Sequence, residues 1–325
     1  MIIYGPVPSR RLGQSLGVNN IPPKFCSYSC AYCQIGITKN MTIQRKAFYE
    51  PEKIFSEVEL KIAQLKKNGE HLDYISFVPD GEPTLDENLG ITLDLLKKLN
   101  IKTAVITNAS LLWMDEVKAD LSKADWVSVK LDAVNEEIWR QIDRPHGRLK
   151  LESILNGIID FSKSYQGTLV TETMLVSGLN DGTEHLESIA KQIAKIKPKK
   201  SYILVPTRPP AENTIYRATS ESLIEAAGII NNISGVNVEC ITEDDTEQGF
   251  FFTDNIAEDL LSITSVHPIR EEIIQHYIQV KNADISILNE LLEQNKIAEY
   301  IYEGKKFYKR NLYDTHKESL DALHN

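Results

Sequence analysis

Three of the four cysteines of the chain, Cys26, Cys30 and Cys33, lie close together with the spacing C-x3-C-x2-C. Thiolates are soft ligands, and three of them in one short loop can hold a soft metal centre while leaving one coordination position open. An open coordination position is a place where a second molecule binds and reacts. The spacing therefore predicts a metal centre that carries out chemistry.

Two other interpretations of the cysteines remain open at this point. Zinc needs a fourth sulfur or nitrogen ligand, and only the distant His71 or His146 would supply one through folding. Three thiols without any metal are a weaker alternative. The fourth cysteine, Cys240, lies in an apolar, strand-like run and is typical of a structural residue.

An aromatic residue, Tyr32, directly precedes the third cysteine. With it, the loop resembles the signature of the radical S-adenosylmethionine (radical SAM) superfamily. The resemblance implies that Cys26, Cys30 and Cys33 ligate a 4Fe-4S cluster, that SAM binds the open iron, and that Tyr32 lies near the adenine. It further implies an oxidoreductase that cleaves SAM to a 5′-deoxyadenosyl radical and abstracts hydrogen from a substrate. An electron donor such as flavodoxin or ferredoxin would supply the electron.

The composition is that of an ordinary globular protein, with 42% apolar and 25% charged residues in 325 positions. This length accommodates an α/β core and a small additional domain. No run of 18 apolar residues predicts a membrane span, and Pro6, Pro8 and the Arg10-Arg11 pair interrupt any signal-peptide pattern. We therefore expect a cytoplasmic protein without a membrane partner.

The net charge of −10 argues against a broad nucleic-acid-binding surface, because phosphate binding depends on clustered Lys and Arg. A local basic groove built from Arg10, Arg11 and Lys24 remains possible on the sequence, and so does a solvated loop.

From residue 50 onward, helical and strand patterns alternate. The first helix shows apolar positions at Ile54, Val58, Ile62 and Leu65, which share one face. Such alternation predicts right-handed βαβ units and a parallel sheet. We expect an α/β fold with a partial (β/α)6 barrel of the radical SAM type, whose strands lie at about 16–21, 74–78, 103–107, 126–131, 168–175, 201–205 and around residue 240.

The pattern changes near residue 255, so the barrel is predicted for 1–255 and a small winged-helix-like domain for 256–325. Two helical patterns are followed there by a hairpin with Glu303-Gly304 at its turn. The second helix carries Glu290 and Glu293 and has no Lys or Arg between Asp284 and Asn295. This composition argues against recognition of duplex DNA.

The second predicted strand runs into Asp80-Gly81-Glu82-Pro83. In parallel α/β barrels the functional groups lie at the carboxyl ends of the strands, so this turn is expected at the barrel mouth. It resembles the G-G-E-P motif of the superfamily, whose residues contact the SAM amino group. Gly81 and Glu82 are therefore candidate cofactor-binding residues, with Asp80 in place of the first glycine. An ordinary βα turn is the alternative.

Three further residues are candidates for cofactor binding. Asn108 follows the third strand and has an amide that hydrogen-bonds a ribose or carboxylate, and Gly178 lies in a loop expected to contact the nucleoside. Arg208 lies between proline-stiffened segments, which favours an anion contact. The alternative for Arg208 is an ion pair with Glu212.

Lys130 and Asp132 end the fourth strand and are the candidate catalytic residues. They either act on substrate or pair with each other as a structural salt bridge.

The N-terminal segment, the D-G-E-P-T-L turn and the T-R-P-P loop are similar to the branch of the superfamily that includes the tRNA wyosine-base synthases. Those enzymes carry a second cluster on upstream cysteines, whereas no cysteine precedes Cys26 here. The hypothesis is a single-cluster radical SAM enzyme, with RNA modification as the first substrate class and a peptide or small metabolite as the second. A non-catalytic iron-sulfur electron carrier or regulator is the alternative from another class.

Overall fold

A computed structural model describes residues 2–242, 256–266, 268–281 and 283–311. Its strands are β1 (Ile3–Ser9), β2 (Gly13–Val18), β3 (Phe25–Cys26), β4 (Asn40–Met41), β5 (Tyr74–Phe77), β6 (Lys102–Thr107), β7 (Trp126–Lys130), β8 (Thr168–Met174), β9 (Lys200–Leu204), β10 (Val238–Ile241), β11 (Ile269–Arg270), β12 (Ile297–Tyr302) and β13 (Lys305–Arg310). Its helices are α1 (Pro51–Lys67), α2 (Leu89–Leu96), α3 (Asp115–Leu121), α4 (Glu136–Ile142), α5 (Leu151–Ser164), α6 (Thr183–Ile196), α7 (Ser220–Ser234), α8 (Ile256–Val266), α9 (Glu271–Val280) and α10 (Ser286–Glu293).

The main sheet has the order β1-β2-β5-β6-β7-β8-β9-β10. β1 pairs antiparallel with β2, and every other neighbouring pair in this sheet is parallel. Helical crossovers connect each parallel strand to the next, as the alternating sequence pattern predicts. The predicted α/β fold with a mostly parallel sheet is confirmed, with β1 and β10 as the two edges of the described sheet.

The helices pack on one face of this sheet through the apolar positions that the sequence predicts. In α1 these are Ile54, Val58, Ile62 and Leu65, all of which are buried, and the first three belong to the main core. A proline begins α1, where its missing N–H leaves no intrahelical hydrogen bond unmade. The helices thereby fix the order of the strands and the position of the loops that follow them.

A second, smaller apolar cluster lies on the other face of the sheet, toward the amino ends of the strands. Leu12, from the turn between β1 and β2, packs there with Trp126, Val170 and Tyr202. Apolar side chains therefore fill the inner face of the sheet at the amino ends of the strands. The candidate functional residues lie toward the carboxyl ends.

The edge strand β1 was not predicted, because Gly5, Pro6 and Pro8 make its sequence typical of a loop. An edge strand tolerates proline, since one side of it has no hydrogen-bonding neighbour. The hydroxyl of Tyr4 donates to the carbonyl of Val78 at 2.8 Å, which ties this strand to the end of β5.

The C-terminal unit comprises α8, α9, α10 and a three-stranded sheet of order β11-β13-β12. Its own core includes Leu260, Ile274 and Tyr308, and Val7 of β1 packs against that core. This order of elements fits the winged-helix-like interpretation, which remains our proposal for the unit. The predicted boundary after residue 255 adjoins residues 243–255, which lie outside the described ranges.

No helix within the described ranges is long and apolar enough to span a membrane.

Candidate metal centre

The cysteine loop follows β2 and lies over the carboxyl ends of the parallel strands. Cys26 ends β3, and the turn that holds Cys33 is closed by hydrogen bonds from Cys33 N to Cys30 O and from Gly36 N to Cys33 O. Gly36 has a φ of +92°, a conformation that favours glycine. The amide of Ala31 donates to Ile142 O at 2.8 Å, so the C-terminal end of α4 holds the middle of the loop.

The three thiols are partly buried and lie near one another. Burial raises the pKa of Cys26 to about 12, with a smaller contribution from the Glu82 charge. Burial likewise raises the pKa of Cys30 well above its ordinary value, and the Asp143 charge adds to this. Such thiols become thiolates when a cation binds them, because metal ligation requires the deprotonated form.

The ligands available near the loop bear on whether it holds a cluster or a single zinc ion. The loop supplies three thiols, and zinc would need a fourth sulfur or nitrogen ligand. A zinc site needs its ligands on one ion, whereas each cysteine of a cubane cluster binds a different iron. His71 interacts instead with Asp73 Oδ1 at 2.9 Å. The residues therefore fit an iron-sulfur cluster better than zinc.

Gly81 lies where the turn after β5 crosses the cysteine loop. A Cβ at this position would lie 1.8 Å from the carbonyl oxygen of Phe25, so only glycine fits. The amide of Glu82 donates to the same carbonyl at 3.0 Å. The predicted Asp80-Gly81-Glu82-Pro83 motif thus holds the start of the cysteine loop in place.

Glu82 is buried, and four groups hydrogen-bond to its carboxylate. Oε1 accepts from Thr84 N, Thr84 Oγ1 and Thr107 Oγ1, and Oε2 accepts from Asn108 N at 2.7 Å. Burial raises the pKa of Glu82, and these hydrogen bonds oppose the rise. Glu82 therefore joins the ends of β5 and β6 beneath the cysteine loop, and its contact with the SAM amino group remains a prediction.

Asp80 replaces a glycine of the superfamily motif without backbone strain, because it is not among the described residues with positive φ. Its side chain is buried, and Oδ1 has no hydrogen-bond partner in the part of the chain that the structure describes. Burial raises the pKa of Asp80 to about 7, and the nearby Lys24 opposes the rise.

Asn108 lies directly beside the cysteine loop. Its Nδ2 donates to Ser27 Oγ at 2.9 Å and lies 3.6 Å from Cys26 Sγ. The sequence thus identified a residue that contacts the cysteine loop, and its role with ribose or carboxylate stays a prediction.

Tyr32 and Asp132 meet on the Cys30 side of the loop. The Tyr32 hydroxyl donates to Asp132 Oδ2, and Asp132 Oδ1 accepts from Met174 N at 2.6 Å. Cys30 Sγ donates to Asp143 Oδ1 at 3.5 Å. Burial and the Asp132 carboxylate raise the pKa of Asp143 well above its ordinary value. Asp143 was not predicted from the sequence, because Asp143 lies far from the cysteine loop along the chain.

The predicted Lys130–Asp132 pair does not form an ion pair in the structure. Lys130 Nζ lies 3.7 Å from Glu172 Oε2 instead, and 5.5 Å from the centre of the Tyr32 ring. Arg11 also pairs with Glu172, whose pKa is lowered because these two cations outweigh its burial. Arg11 is therefore engaged within the barrel, while Lys130 and Asp132 lie on either side of Tyr32.

Arg208 reaches the cysteine loop, where its Nη1 donates to Gln34 Oε1 at 3.1 Å. Glu212, the alternative partner considered for Arg208, pairs with Arg144. Gly178 lies in an exposed turn with a φ of +73° and donates its amide to Asp181 Oδ1. The structure does not bring Gly178 into contact with the cysteines.

Two lysines that the sequence did not single out as a pair lie on the Cys33 side. A Cβ on Gly36 would lie 3.6 Å from Lys24 Nζ and 3.8 Å from Lys309 Nζ. Lys24 Nζ also donates to Ile35 O. Lys309 belongs to β13, so the C-terminal unit contributes a side chain to the surroundings of the cysteine loop.

A mostly parallel α/β sheet with three cysteines on a loop over its carboxyl edge defines the class of radical SAM proteins. Residues 20–193, more than half of the chain, match the radical SAM superfamily, and the chain belongs to this superfamily. It is 44% identical over 311 residues to a UPF0026 protein of Methanocaldococcus jannaschii, and the match covers 96% of each chain.

Two solved structures support the fold. A radical SAM methyltransferase from Sphaerobacter thermophilus has a TM-score of 0.54 at 16% identity, covering 70% of this chain and 66% of that chain. TYW1 with a lysine-pyruvate adduct bound has a TM-score of 0.53 at 19% identity, covering 74% and 79%. At these identities the likeness concerns the fold alone.

The protein is thus a radical SAM enzyme, and the cofactors of this superfamily are a 4Fe-4S cluster and SAM. Membership of an enzyme superfamily argues against the electron-carrier alternative.

Proposed function

We propose that Cys26, Cys30 and Cys33 ligate the 4Fe-4S cluster and that the enzyme abstracts hydrogen from a substrate at the mouth of the barrel. The observation that carries this proposal is the placement of three partly buried, neighbouring thiols on one loop over the carboxyl ends of the strands. Cys26, Cys30 and Cys33 would hold the cluster, which would supply the electron for reductive cleavage of SAM to methionine and a hydrogen-abstracting 5′-deoxyadenosyl radical.

The side chains around the loop have distinct roles in this proposal. Tyr32 borders the adenine, its ring held by the hydroxyl's hydrogen bond to Asp132. Asn108 and Glu82 position the Cys26 end of the loop and the polar groups of SAM, and Arg208 holds Gln34 at the other end. Gly178 allows the turn after β8 to approach the nucleoside.

Lys130 and Asp132 are the proposed substrate-side residues. Lys130 ends β7 and Asp132 follows it, so both lie at the mouth of the barrel. The Lys130 ammonium lies between Glu172 and the Tyr32 ring. An ammonium in this position binds an anionic or carbonyl group of a substrate, and Asp132 keeps Tyr32 oriented toward the cofactor.

Release of 5′-deoxyadenosine tests the chemistry. Anaerobically reconstituted and reduced protein supplied with SAM should release 5′-deoxyadenosine and methionine, whereas Cys30→Ala should not. Cys240→Ala is the matched control, because Cys240 lies on β10 and not on the cysteine loop. This variant should retain full cluster content and product formation. An intact cluster in the wild-type protein without any 5′-deoxyadenosine would refute the proposal.

RNA modification is the first substrate class that we propose. It is supported by the resemblance of the N-terminal segment and the two turn motifs to the tRNA wyosine-base synthase branch, together with cationic groups near the mouth at Lys24, Lys130 and Lys309. Nucleosides from total RNA of a deletion strain should lack a modification that returns with the wild-type gene and not with Cys30→Ala. Identical nucleoside profiles in all three strains would exclude this class.

A small metabolite or a peptide is the second class, and one observation favours a small substrate. The turn of the C-terminal hairpin reaches the loop after β9, where Tyr302 donates to Pro206 O at 3.3 Å and Arg217 pairs with Glu303 at 3.4 Å. These contacts place the hairpin beside that loop, and in this second proposal the hairpin restricts access to small molecules. Stimulation of 5′-deoxyadenosine release by a metabolite fraction of low molecular mass, and not by RNA, would identify this class.

We further propose a cytoplasmic location and reduction by a flavodoxin or ferredoxin. Thiols in a reducing compartment are typical of metal ligands. A reconstituted flavodoxin system should replace dithionite in the assay described above.

A further inference from the structure

The hairpin of the C-terminal unit lies across the mouth of the barrel. At one end it contacts the loop after β9 through Tyr302 and Glu303. Farther along β13, Lys309 lies against the turn from Cys33 to Gly36. The unit therefore contributes to the walls around the cysteine loop.

Lys309 has a counterpart from the barrel itself. Lys24 and Lys309 both place Nζ within 4 Å of the position that a Gly36 Cβ would occupy, so the two ammonium groups flank one turn. Lys24 is fixed there by its hydrogen bond to Ile35 O. Lys309 is partly buried and lies 5.9 Å from the Tyr300 ring, which limits its movement.

Both lysines interact electrostatically with the Cys33 thiol and with Asp80. Burial lowers the pKa of each lysine, and the charges of Cys33 and Asp80 oppose this effect. Asp80 is itself buried and supplies at most one negative charge to offset two ammonium groups. Positive charge therefore predominates on this side of the loop.

We propose that Lys309, together with Lys24, stabilises the one-electron reduced state of the cluster held by the neighbouring cysteines. The proposal rests on the function proposed above. The cluster accepts one electron from the external reductant and gains one negative charge. A nearby ammonium group stabilises that added charge, most strongly in a site from which water is partly excluded. The C-terminal unit thereby sets how readily the cluster is reduced.

The test is an EPR-monitored redox titration of the reconstituted full-length protein without SAM. Lys309→Met keeps much of the side-chain length and removes the charge. We expect a roughly tenfold lower equilibrium constant for reduction, which corresponds to about 59 mV toward more negative potential for a one-electron couple. Lys309→Arg keeps the charge and should lie near the wild-type value.

Lys305→Met is the matched control, because Lys305 lies on the same strand and is exposed. It should leave the midpoint unchanged. A wild-type midpoint in Lys309→Met would overturn the proposal, and so would equal shifts in Lys309→Met and Lys309→Arg, which would indicate packing rather than charge. Failure of the wild-type protein to bind any cluster would instead refute the proposed function, and this inference with it.

A second measurement does not depend on the cluster. Amide hydrogen exchange of cluster-free protein should show faster exchange at residues 33–36 in Lys309→Met than in Lys305→Met, because the hairpin loses its contact with the turn. A role for Lys309 would be excluded if exchange at these residues is unchanged and the protein molecules that carry a cluster keep the wild-type midpoint potential.

Discussion

The two sides of the cysteine loop differ in charge. On the Cys30 side lie the carboxyl groups of Asp132 and Asp143, whereas Lys24 and Lys309 lie on the Cys33 side. The ligands themselves are chemically identical. A three-cysteine motif therefore specifies which atoms hold a cluster, while residues distant in sequence determine the electrostatic field in which the charge of the cluster changes.

The two sides also differ in how completely their polar groups are paired. Asp132 accepts hydrogen bonds from Tyr32 and from Met174 N, but Asp80 on the opposite side is buried with one oxygen unpartnered within the described residues. An unpaired buried carboxyl group is destabilising when ionised. Substitutions on the two sides should therefore have different pH dependence.

The largest effect is expected at Asp80. Its pKa is about 7 in the folded protein because of burial, against about 3.9 for an unfolded aspartate. The folded state thus binds the proton more tightly, so this contribution to stability is fully present below about pH 4 and is lost as the pH rises to about 7. Relative to Asp80→Asn, wild-type unfolding free energy should fall by up to about 4 kcal/mol over that range.

Urea denaturation of both proteins between pH 4 and 8 measures this difference, since Asn cannot titrate. Lys24, Lys309 and Arg310 face Asp80 and remain in both proteins, so the comparison isolates the titration of Asp80 together with its coupling to these cations. Parallel stability profiles for the two proteins would show that Asp80 is not buried as described.

The next largest effect is expected at Gly81. Gly81 packs against the start of the cysteine loop, so its substitution should affect both sides of the loop. Gly81→Ala places a methyl group against Phe25 O, and the required backbone shift should cost about 3 kcal/mol. We expect lower cluster content as well, measured by iron and sulfide analysis. Gly147→Ala is the control, because no described atom lies within 4 Å of its added Cβ. Equal behaviour of the two variants would contradict the close crossing.

A smaller effect is expected for Asp132→Ala on the Cys30 side. It leaves the Tyr32 hydroxyl and the Met174 amide without an acceptor, which should cost about 2 kcal/mol in thermal or urea unfolding. In a Tyr32→Phe background the cost should be lower, because one of the two donors is already absent. Asp115→Ala, on an exposed side chain, should have little effect. Additive losses for Asp132 and Tyr32 would show that the pair is not coupled.

The smallest effect is expected for Arg208→Gln, which removes the hydrogen bond to Gln34 at the Cys33 end of the loop. A loss of about 1 kcal/mol or less is typical of such a bond. The KM for SAM should rise more than kcat falls if Arg208 positions the loop for cofactor binding. A fall in kcat alone would assign Arg208 to a later step.

Much of the barrel follows from local sequence patterns. The periodic spacing of apolar residues predicts α1 and the strands β5 to β9. The helix buries one apolar face, and each strand buries a short run of apolar residues. The cysteines, Asn108 and Glu82 were found because they occupy short motifs or strand ends. Their common position at one edge is a property of parallel sheets.

Other features depend on contacts that no local pattern records. The Cys30–Asp143 and Arg11–Glu172 contacts join residues more than a hundred positions apart, so only the folded chain identifies them. Lys309 lies in a hairpin, and no local pattern distinguishes it from a lysine on a solvated surface. The contact of Glu212 with Arg144 was not predicted for the same reason, since no local pattern shows which of two arginines lies beside one glutamate.

The contact between Lys309 and the turn at Gly36 also has a consequence for biosynthesis. A nascent chain that has left the ribosome through β10 already contains Cys26, Cys30 and Cys33, but it does not yet contain Lys309. At that stage the hairpin of β12 and β13 is not yet present at the mouth of the barrel, where iron-sulfur assembly factors would bind. Delivery of the cluster during translation would therefore be unobstructed, and arrival of the last strand would complete the environment in which the cluster is reduced.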